Sequence, residues 1–579
     1  MKHLHVTLTA ALLLTACTFT PEDGLHTLHV LTTNDVHGSY FNSTYVGGGV
    51  VPSLFSVKAA VDSIRNEVGE DNVLLIDAGD MLQGDNAAYY FNYVDTVSTH
   101  VYPRLAHAIG YDAVTVGNHD VETGHHVYDR IRKELESYGI PFLGGNAVKP
   151  DGSRYFQLYK TYRRAGMKVL VLGYSNANIA AWLDGSIWSG MTFESLVPLV
   201  QQDVDRIVAK EKPQVVIVAV HSGTGKGNGD ELESQGLDLL HSLRGVDLVV
   251  AAHDHRPYFE LREDGRCALV NAGCHCRYMG EAVISVSYKY GVEEARSVEP
   301  VVFPLERNRI DNVLRDEFWP EYEAVKAFTL REVGTLSEDM YTRDSYVGMC
   351  GYMNLLHTIC LKASGADVSM AAPLSYDKKI SAGTLVYNDM FSIYPYENQL
   401  FTLRMTGKEI VSYLELSYDG WINTVKTASD HALKIQDRPD PRTGAASWSF
   451  IGRPYNFDSA AGISYTVDLT KPFGSRVTVT AMADGSAFDT DAEYVVCMTS
   501  YRASGGGGLI REGAGIQDPD ARIVGKYSDI RDLVYGFISA RGSLDIASLG
   551  DPALLGTWSF VPEKLAKTAL ERDFNLIFD

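Results

Sequence analysis

The chain is poor in three things, and each shortage excludes a class of protein. Seven cysteines in 579 residues are too thinly spread for the dense disulfide framework of a small secreted module. Lys and Arg total 51 against 73 Asp and Glu, a formal net charge of −22, so the broad cationic surface that long nucleic acid needs is missing. Any phosphate group must then be held locally, by metals and a few cations. Beyond the N-terminus no apolar run is long enough for a membrane-spanning helix. No internal repeat is evident, and Gly505–Gly508 is not followed by Lys-Ser/Thr, which rules out a P-loop.

What remains is ordinary folded composition, 45% apolar and 21% charged, in a chain long enough for two or three domains. The start, Met1-Lys2-His3-Leu4-His5 followed by the apolar Val6–Ala16, reads as a signal segment over residues 1–16. It stops at Leu14-Thr15-Ala16-Cys17, which resembles a bacterial lipoprotein cleavage box with Cys17 as the lipidated residue; an ordinary secretory signal is the alternative. The expectation is an exported protein, held at a membrane only by that anchor, in the periplasm or at the cell surface. Cys274-x-Cys276 lacks a second thiol pair and reads as packing or a disulfide before a metal site.

Five short apolar runs each lead into a metal-ligand motif. Leu28–Thr32 precedes Asp35-x-His37, Val73–Asp77 precedes Gly79-Asp80, and Ala113–Val116 precedes Gly117-Asn118-His119-Asp120. Val215–Val220 ends at His221, and Val246–Ala252 at His253-x-His255. Such β-branched and aliphatic runs predict parallel strands buried on both faces, whose reactive loops gather at their carboxyl ends. Five loops at one sheet edge would converge on one place and hold two metal ions. Two divalent ions about 3.5–4 Å apart clamp the attacking and leaving oxygens of an in-line displacement at phosphorus and make a water nucleophilic at neutral pH. Asp80 is the natural bridge between them, because a Gly-Asp turn lets the backbone come close. His5, His100, His107, His125 and His241 lack such a pattern and read as core or surface residues.

Helical stretches at Leu54–Val68, Val127–Tyr138 and Leu196–Ile207 alternate with these strands, the α/β pattern of helices laid on a sheet. The division predicted is a first domain over 25–305, a connecting helix within 306–335 centred on Arg307–Phe328, and a second domain over 336–579. That last part opens with a helix, Met349–Ser364, and carries alternating strands at Ile463–Leu469 and Arg476–Met482.

The five motifs together resemble those of the calcineurin-like metallophosphoesterases. The resemblance implies a four-layer α/β/β/α sandwich and two divalent ions, drawn from Mn, Zn, Co, Fe or Mg. One ion would take Asp35, His37, Asp80 and His255; the other would take Asp80, Asn118, His221 and His253. His119 would stabilise the phosphoryl group or protonate the leaving oxygen. Relatives often carry Asp or Asn three residues later, where this chain has Glu122; either Glu122 or Asp120 could orient His119.

The second part resembles the α+β substrate-binding domain of secreted 5′-nucleotidases and 2′,3′-cyclic-nucleotide phosphodiesterase/3′-nucleotidases. Matching segments include Tyr394-Pro395-Tyr396-Glu397-Asn398, Thr406-Gly407-Lys408-Glu409, Tyr455-Asn456-Phe457-Asp458 and Tyr501-Arg502-Ala503-Ser504 before four glycines. The resemblance implies a base stacked between Tyr455 and Tyr501, with Asn398 and Asn456 beside it. Where 5′-nucleotidases carry a phosphate-gripping arginine, this chain reads Ala371-Ala372-Pro373, which favours the cyclic-phosphodiesterase branch. The expected activity is opening of 2′,3′-cyclic nucleotides and removal of the 3′-phosphate, by a monomer acting on small nucleotides. A 5′-nucleotidase or UDP-sugar hydrolase is the alternative, and a catalytically inactive nucleotide-binding surface lipoprotein a remoter one.

Overall fold

Val73–Asp77 and Val215–Val220 are buried at every residue, and such side chains suit strands covered on both faces. The computed structural model describes residues 20–438 and 447–578; the signal segment and Cys17 lie outside them. Two six-stranded sheets stack face to face. In the first the order is Val292–Pro304, Tyr278–Lys289, Gly24–Thr33, Val73–Asp77, Ala113–Thr115 and Phe142–Leu143. In the second it is Pro257–Leu261, Ala268–Ala272, Leu248–Val250, Val215–Val220, Met167–Tyr174 and Tyr159–Arg164. The central strands of both are parallel; three of the four outer strands pair antiparallel, and the fourth, Phe142–Leu143, pairs parallel.

Alternation along each strand builds the layers. Leu28, Val30, Leu74 and Ile76 of the first sheet meet Val169, Val171, Ile217 and Val250 of the second in a shared core. The opposite faces, Leu31, Leu75 and Val114 on one side and Leu172, Val218 and Val249 on the other, lie under helices. Leu54–Val68, Val101–Ile109 and His125–Ser137 cover the first sheet; Leu196–Glu211 and Gly236–Ser242 cover the second. The result is the expected α/β/β/α sandwich.

The motif-bearing strands do not share one sheet edge, which corrects the simple reading of the five runs. Three belong to the first sheet and two, Val215–Val220 and Leu248–Val250, to the second. A wholly apolar run says that both faces are covered, but not which sheet the strand joins. The loops still meet, because both sheets present carboxyl ends at the same end of the sandwich.

The connecting helix spans Asn312–Thr329, starting later than expected because the Asp311 side chain accepts from Leu314 N at 2.7 Å, an N-cap. Leu314, Phe318, Tyr322 and Val325 bury into the first domain's core, so the helix belongs to that domain's packing. The second domain holds a five-stranded sheet in the order Ser459–Ala461, Val368–Ala371, Glu493–Thr499, Gln399–Thr406 and Ile523–Asp529. Its helix Gly407–Asp419 begins at a capping box: Thr406 Oγ1 accepts from Glu409 N, and Glu409 Oε2 accepts from Thr406 N at 2.7 Å. The domains touch through Phe328 against Tyr387, with ring centroids 4.5 Å apart, Tyr89 OH donating to Asp532 at 3.0 Å, and Lys526 Nζ 2.6 Å from Asp184. Among the described residues no helix is long and apolar enough to cross a membrane.

Candidate active site

The strand-end loops close on one another so tightly that only glycine fits at two positions. A Cβ on Gly117 would lie 2.0 Å from Asp80 Oδ1, and one on Gly79 would lie 2.7 Å from Gly117 N. Asp35, His37, Asp80, His253 and His255 all have positive φ, between 47° and 72°. Side chains rarely tolerate that region, at about 1–2 kcal/mol each, and such strain collects where a site overrides local preference.

All seven expected ligands come together. Asp35, His37 and His255 form one cluster of converging donor atoms, and Asp80, His221 and His253 form another. His37 Nε2 and His255 Nε2 face each other at 2.9 Å, and Asn118 Oδ1 lies 2.9 Å from His253 Nδ1. Asp80 Oδ2 lies 3.0 Å from His221 Nε2, and Asp35 Oδ1 lies 4.0 Å from it. Yet Asp35 Oδ1, Asp80 Oδ2 and His221 Nε2 are buried without an aligned hydrogen-bond partner. Buried polar atoms left unpaired cost about 1–3 kcal/mol each or more when charged, and cations between them remove that cost. The donor set of imidazole, carboxylate and amide oxygen suits divalent ions of the zinc, manganese and iron kind.

Outer partners hold these donors in place. His37 Nδ1 donates to Gln83 O at 2.9 Å and His221 Nδ1 to Ala78 O at 2.8 Å, which leaves each Nε2 free toward the cluster. Asp35 Oδ2 accepts from His253 N at 2.9 Å and Asn34 Nδ2 at 2.7 Å. Burial holds His37 and His253 near a pKa of about 3, neutral and ready to ligate. Burial pushes the Asp35 carboxyl up, but His255 and His221 outweigh it and bring it to about 2. His221 shows the opposite balance: burial lowers it, and Asp80 and Asp35 lift it to about 9. The carboxylates that would share a cation thus hold a proton on His221, and the two compete for one nitrogen.

Asp120 and Glu122 divide the work that the sequence left open between them. Asp120 accepts from four backbone amides: Gly117 N and Asp80 N on Oδ2, Met81 N and Leu82 N on Oδ1, at 2.8–3.0 Å. It is fully committed to the Asp80 loop and its own Gly117 turn. Glu122 Oε2 accepts from His119 Nδ1 at 2.5 Å, so Glu122 sets that ring. Burial lowers the His119 pKa, but Asp80 and Glu122 raise it to about 10.

On the second domain, Tyr455 and Tyr501 are half-buried beside Arg502. Arg502 is buried and grips Asp458 at 2.7 Å, Asn456 Oδ1 at 2.9 Å, Tyr455 O at 2.7 Å and Gly506 O at 3.1 Å. It ties the two tyrosine-bearing loops into one piece. The glycines after Tyr501 serve close packing: a Cβ on Gly506 would lie 2.4 Å from the Tyr501 ring, and one on Gly507 2.4 Å from Arg502 Nη1. Asn398 O accepts from Ile530 N at 2.9 Å. Its neighbour Glu397 feels the charges of Glu122 and His119, and burial together with Tyr455, Glu122 and Tyr501 raises the Tyr396 pKa. The turn carrying Asn398 therefore faces the His119 helix across the domain boundary.

The sequence reading missed Arg453 and Trp182. Arg453 Nη1 donates to Tyr455 OH at 2.7 Å, and Tyr455 foremost, with Glu233 of the first domain assisting, raises its pKa. Its position two residues before Tyr455 was the available signal. Trp182 stacks on His253, and nothing in the sequence links the two.

Residues 28–257 match the family model of the calcineurin-like phosphoesterases, and residues 332–512 match that of the 5′-nucleotidase C-terminal domain. The chain is 21% identical to the trifunctional nucleotide phosphoesterase protein YfkN of Bacillus subtilis over 83% of its own length, but spans only 36% of that protein. It is 22% identical to a 2′,3′-cyclic-nucleotide 2′-phosphodiesterase/3′-nucleotidase of Haemophilus influenzae, covering 83% of this chain and 80% of that one. The crystal structure of a candidate 5′-nucleotidase from Staphylococcus aureus superposes with a TM-score of 0.75 at 21% identity, covering 92% of this chain and 99% of that one. The chain is a metal-dependent phosphoester hydrolase that joins a calcineurin-like phosphoesterase domain to a 5′-nucleotidase C-terminal domain.

Proposed function

We propose that this chain hydrolyses phosphoesters of small nucleotides, opening 2′,3′-cyclic nucleotides and then removing the 3′-phosphate. The observation that carries the reading is the set of buried, mutually facing and unpaired donor atoms on Asp35, Asp80 and His221, within reach of His119. Divalent ions held by Asp35, His37, Asp80 and His255, and by Asp80, Asn118, His221 and His253, would polarise a phosphoryl oxygen and lower the pKa of an attacking water. His119, with Nδ1 fixed by Glu122, keeps Nε2 to donate a proton to the ribose oxygen as its bond to phosphorus breaks. Tyr455 and Tyr501 would stack the base, and Arg502 preorganises their loops. The name of the Haemophilus influenzae relative supports this substrate class.

Arg453 favours a second reading, as a 5′-nucleotidase. Its guanidinium lies beside Tyr455 with one protein bond among the described residues, and its other donors could grip a phosphate dianion. Comparing kcat/KM for 2′,3′-cAMP, 3′-AMP, 5′-AMP and a UDP-sugar on one metal-loaded preparation separates the readings. The first predicts the cyclic and 3′ substrates ahead; dominance of 5′-AMP or the UDP-sugar overturns it. Export with lipidation at Cys17 is part of the proposal, and loss of palmitate labelling in Cys17→Ser tests it.

A further inference from the structure

His253, half-buried, is held differently from the two buried imidazoles of the site, His37 and His221. His37 and His221 each spend their second nitrogen on a backbone carbonyl, but His253 has no such bond among the described residues. Its Nδ1 faces Asn118 Oδ1, and the edge-on ring of His221 stands 5.5 Å away at 74°. Against this imidazole lies Trp182, with centroids 5.2 Å apart and planes at 19°.

Trp182 is the last residue of a one-turn helix, Ile179–Trp182, on a short strap pinned at both ends. Ile179 is fully buried in the first domain's core. Asp184, 6% exposed, accepts from Ser186 N at 3.0 Å and from Lys526 Nζ at 2.6 Å. Lys526 belongs to the second domain, on the strand Ile523–Asp529, and its ammonium lies 4.8 Å from the Phe401 ring. The segment that meets His253 is therefore also the segment that the substrate-binding domain holds.

We propose that Trp182 is a positioning residue for His253, and that the Asp184–Lys526 pair keeps its strap against the metal centre when the two domains are docked. The inference rests on the two-metal reading above. The indole wall replaces the carbonyl bond that fixes His37 and His221: it limits rotation of the imidazole and excludes water from its face. Orienting partners of metal-ligating histidines are commonly worth 10–100-fold in metal affinity. Trp182 should thus matter to the ion held by Asp80, Asn118, His221 and His253, and not to the one held by Asp35, His37, Asp80 and His255.

Calorimetric titration of the full-length, metal-stripped chain with cobalt(II) tests this. The unaltered chain should bind two ions. Trp182→Ala should weaken one of them about tenfold or more and leave the other unchanged, while Trp182→Phe restores it. Lys526→Ala should weaken the same ion by less. Unchanged affinity at both sites in Trp182→Ala overturns the inference, as does an equal loss at both sites that Trp182→Phe does not repair. If the unaltered chain binds no pair of ions, the two-metal reading fails and the inference falls with it.

Discussion

Glu122 Oε2 accepts from His119 Nδ1 at 2.5 Å, one helical turn along the chain. The bond directs Nε2 away from the helix and stabilises the protonated ring. His119→Ala should lower kcat by about 10²–10⁴, the usual contribution of a positioned acid, with metal content unchanged. Glu122→Gln should cost about 10–100-fold, because the amide still holds the ring but no longer stabilises its charge. Steady-state kinetics with metal analysis checks both; loss of metal in His119→Ala would show that the residue is a ligand.

Asp120 plays a different part, and its loss should appear in stability. Three of its four amide bonds hold the loop carrying Asp80, and the fourth, from Gly117 N, holds its own turn. Asp120→Ala leaves those amides unpaired in a buried place and should cost about 3–5 kcal/mol. Denaturant unfolding followed in the first domain reads this directly, and a loss below about 1 kcal/mol would deny Asp120 that role.

Replacing either stacking tyrosine should separate nucleotide recognition from phosphoester chemistry. Tyr455→Ala and Tyr501→Ala should each lower kcat/KM for nucleotides by the equivalent of about 1–3 kcal/mol. Turnover of p-nitrophenyl phosphate, which has no base to stack, should be nearly unchanged, and phenylalanine should restore nucleotide hydrolysis. Equal losses on both substrates would make the tyrosines structural.

The domain boundary carries a titrating group. Asp529 caps the helix Ile530–Arg541 by accepting from Arg531 N at 2.8 Å. Burial raises its pKa from 3.8 to about 8, Arg531 opposing and Glu397 and Asp532 assisting. The folded state thus keeps this proton where the unfolded chain has lost it, so the contribution to stability falls as pH rises from about 4 to about 8. Asp529→Asn keeps the cap and removes the titration, so Tm should vary less with pH across that window than in the unaltered chain. Equal slopes would refute it.

Much of the metal centre was legible because each ligand motif follows an apolar run, and a strand ending in a ligand states both position and chemistry. Asp80 and Gly117 show the same thing more sharply, since the glycine exists to let that carboxylate in. Sheet membership was not legible: Val73–Asp77 and Val215–Val220 look alike as sequence but lie in different sheets. Nor was the division between Asp120 and Glu122, which depends on which carboxylate the loop amides capture first. Trp182 was invisible because its contact with His253 is made in space between distant segments. Arg453 stood beside a recognised motif, but its bond to Tyr455 belongs to a turn whose path the sequence does not specify.

The central claim is a pair of metal ions, and anomalous diffraction from metal-loaded crystals at the absorption edge tests it most directly. The account predicts two peaks, one among Asp35, His37 and His255 and one among Asp80, Asn118, His221 and His253. A single peak, or none within these clusters, would contradict it.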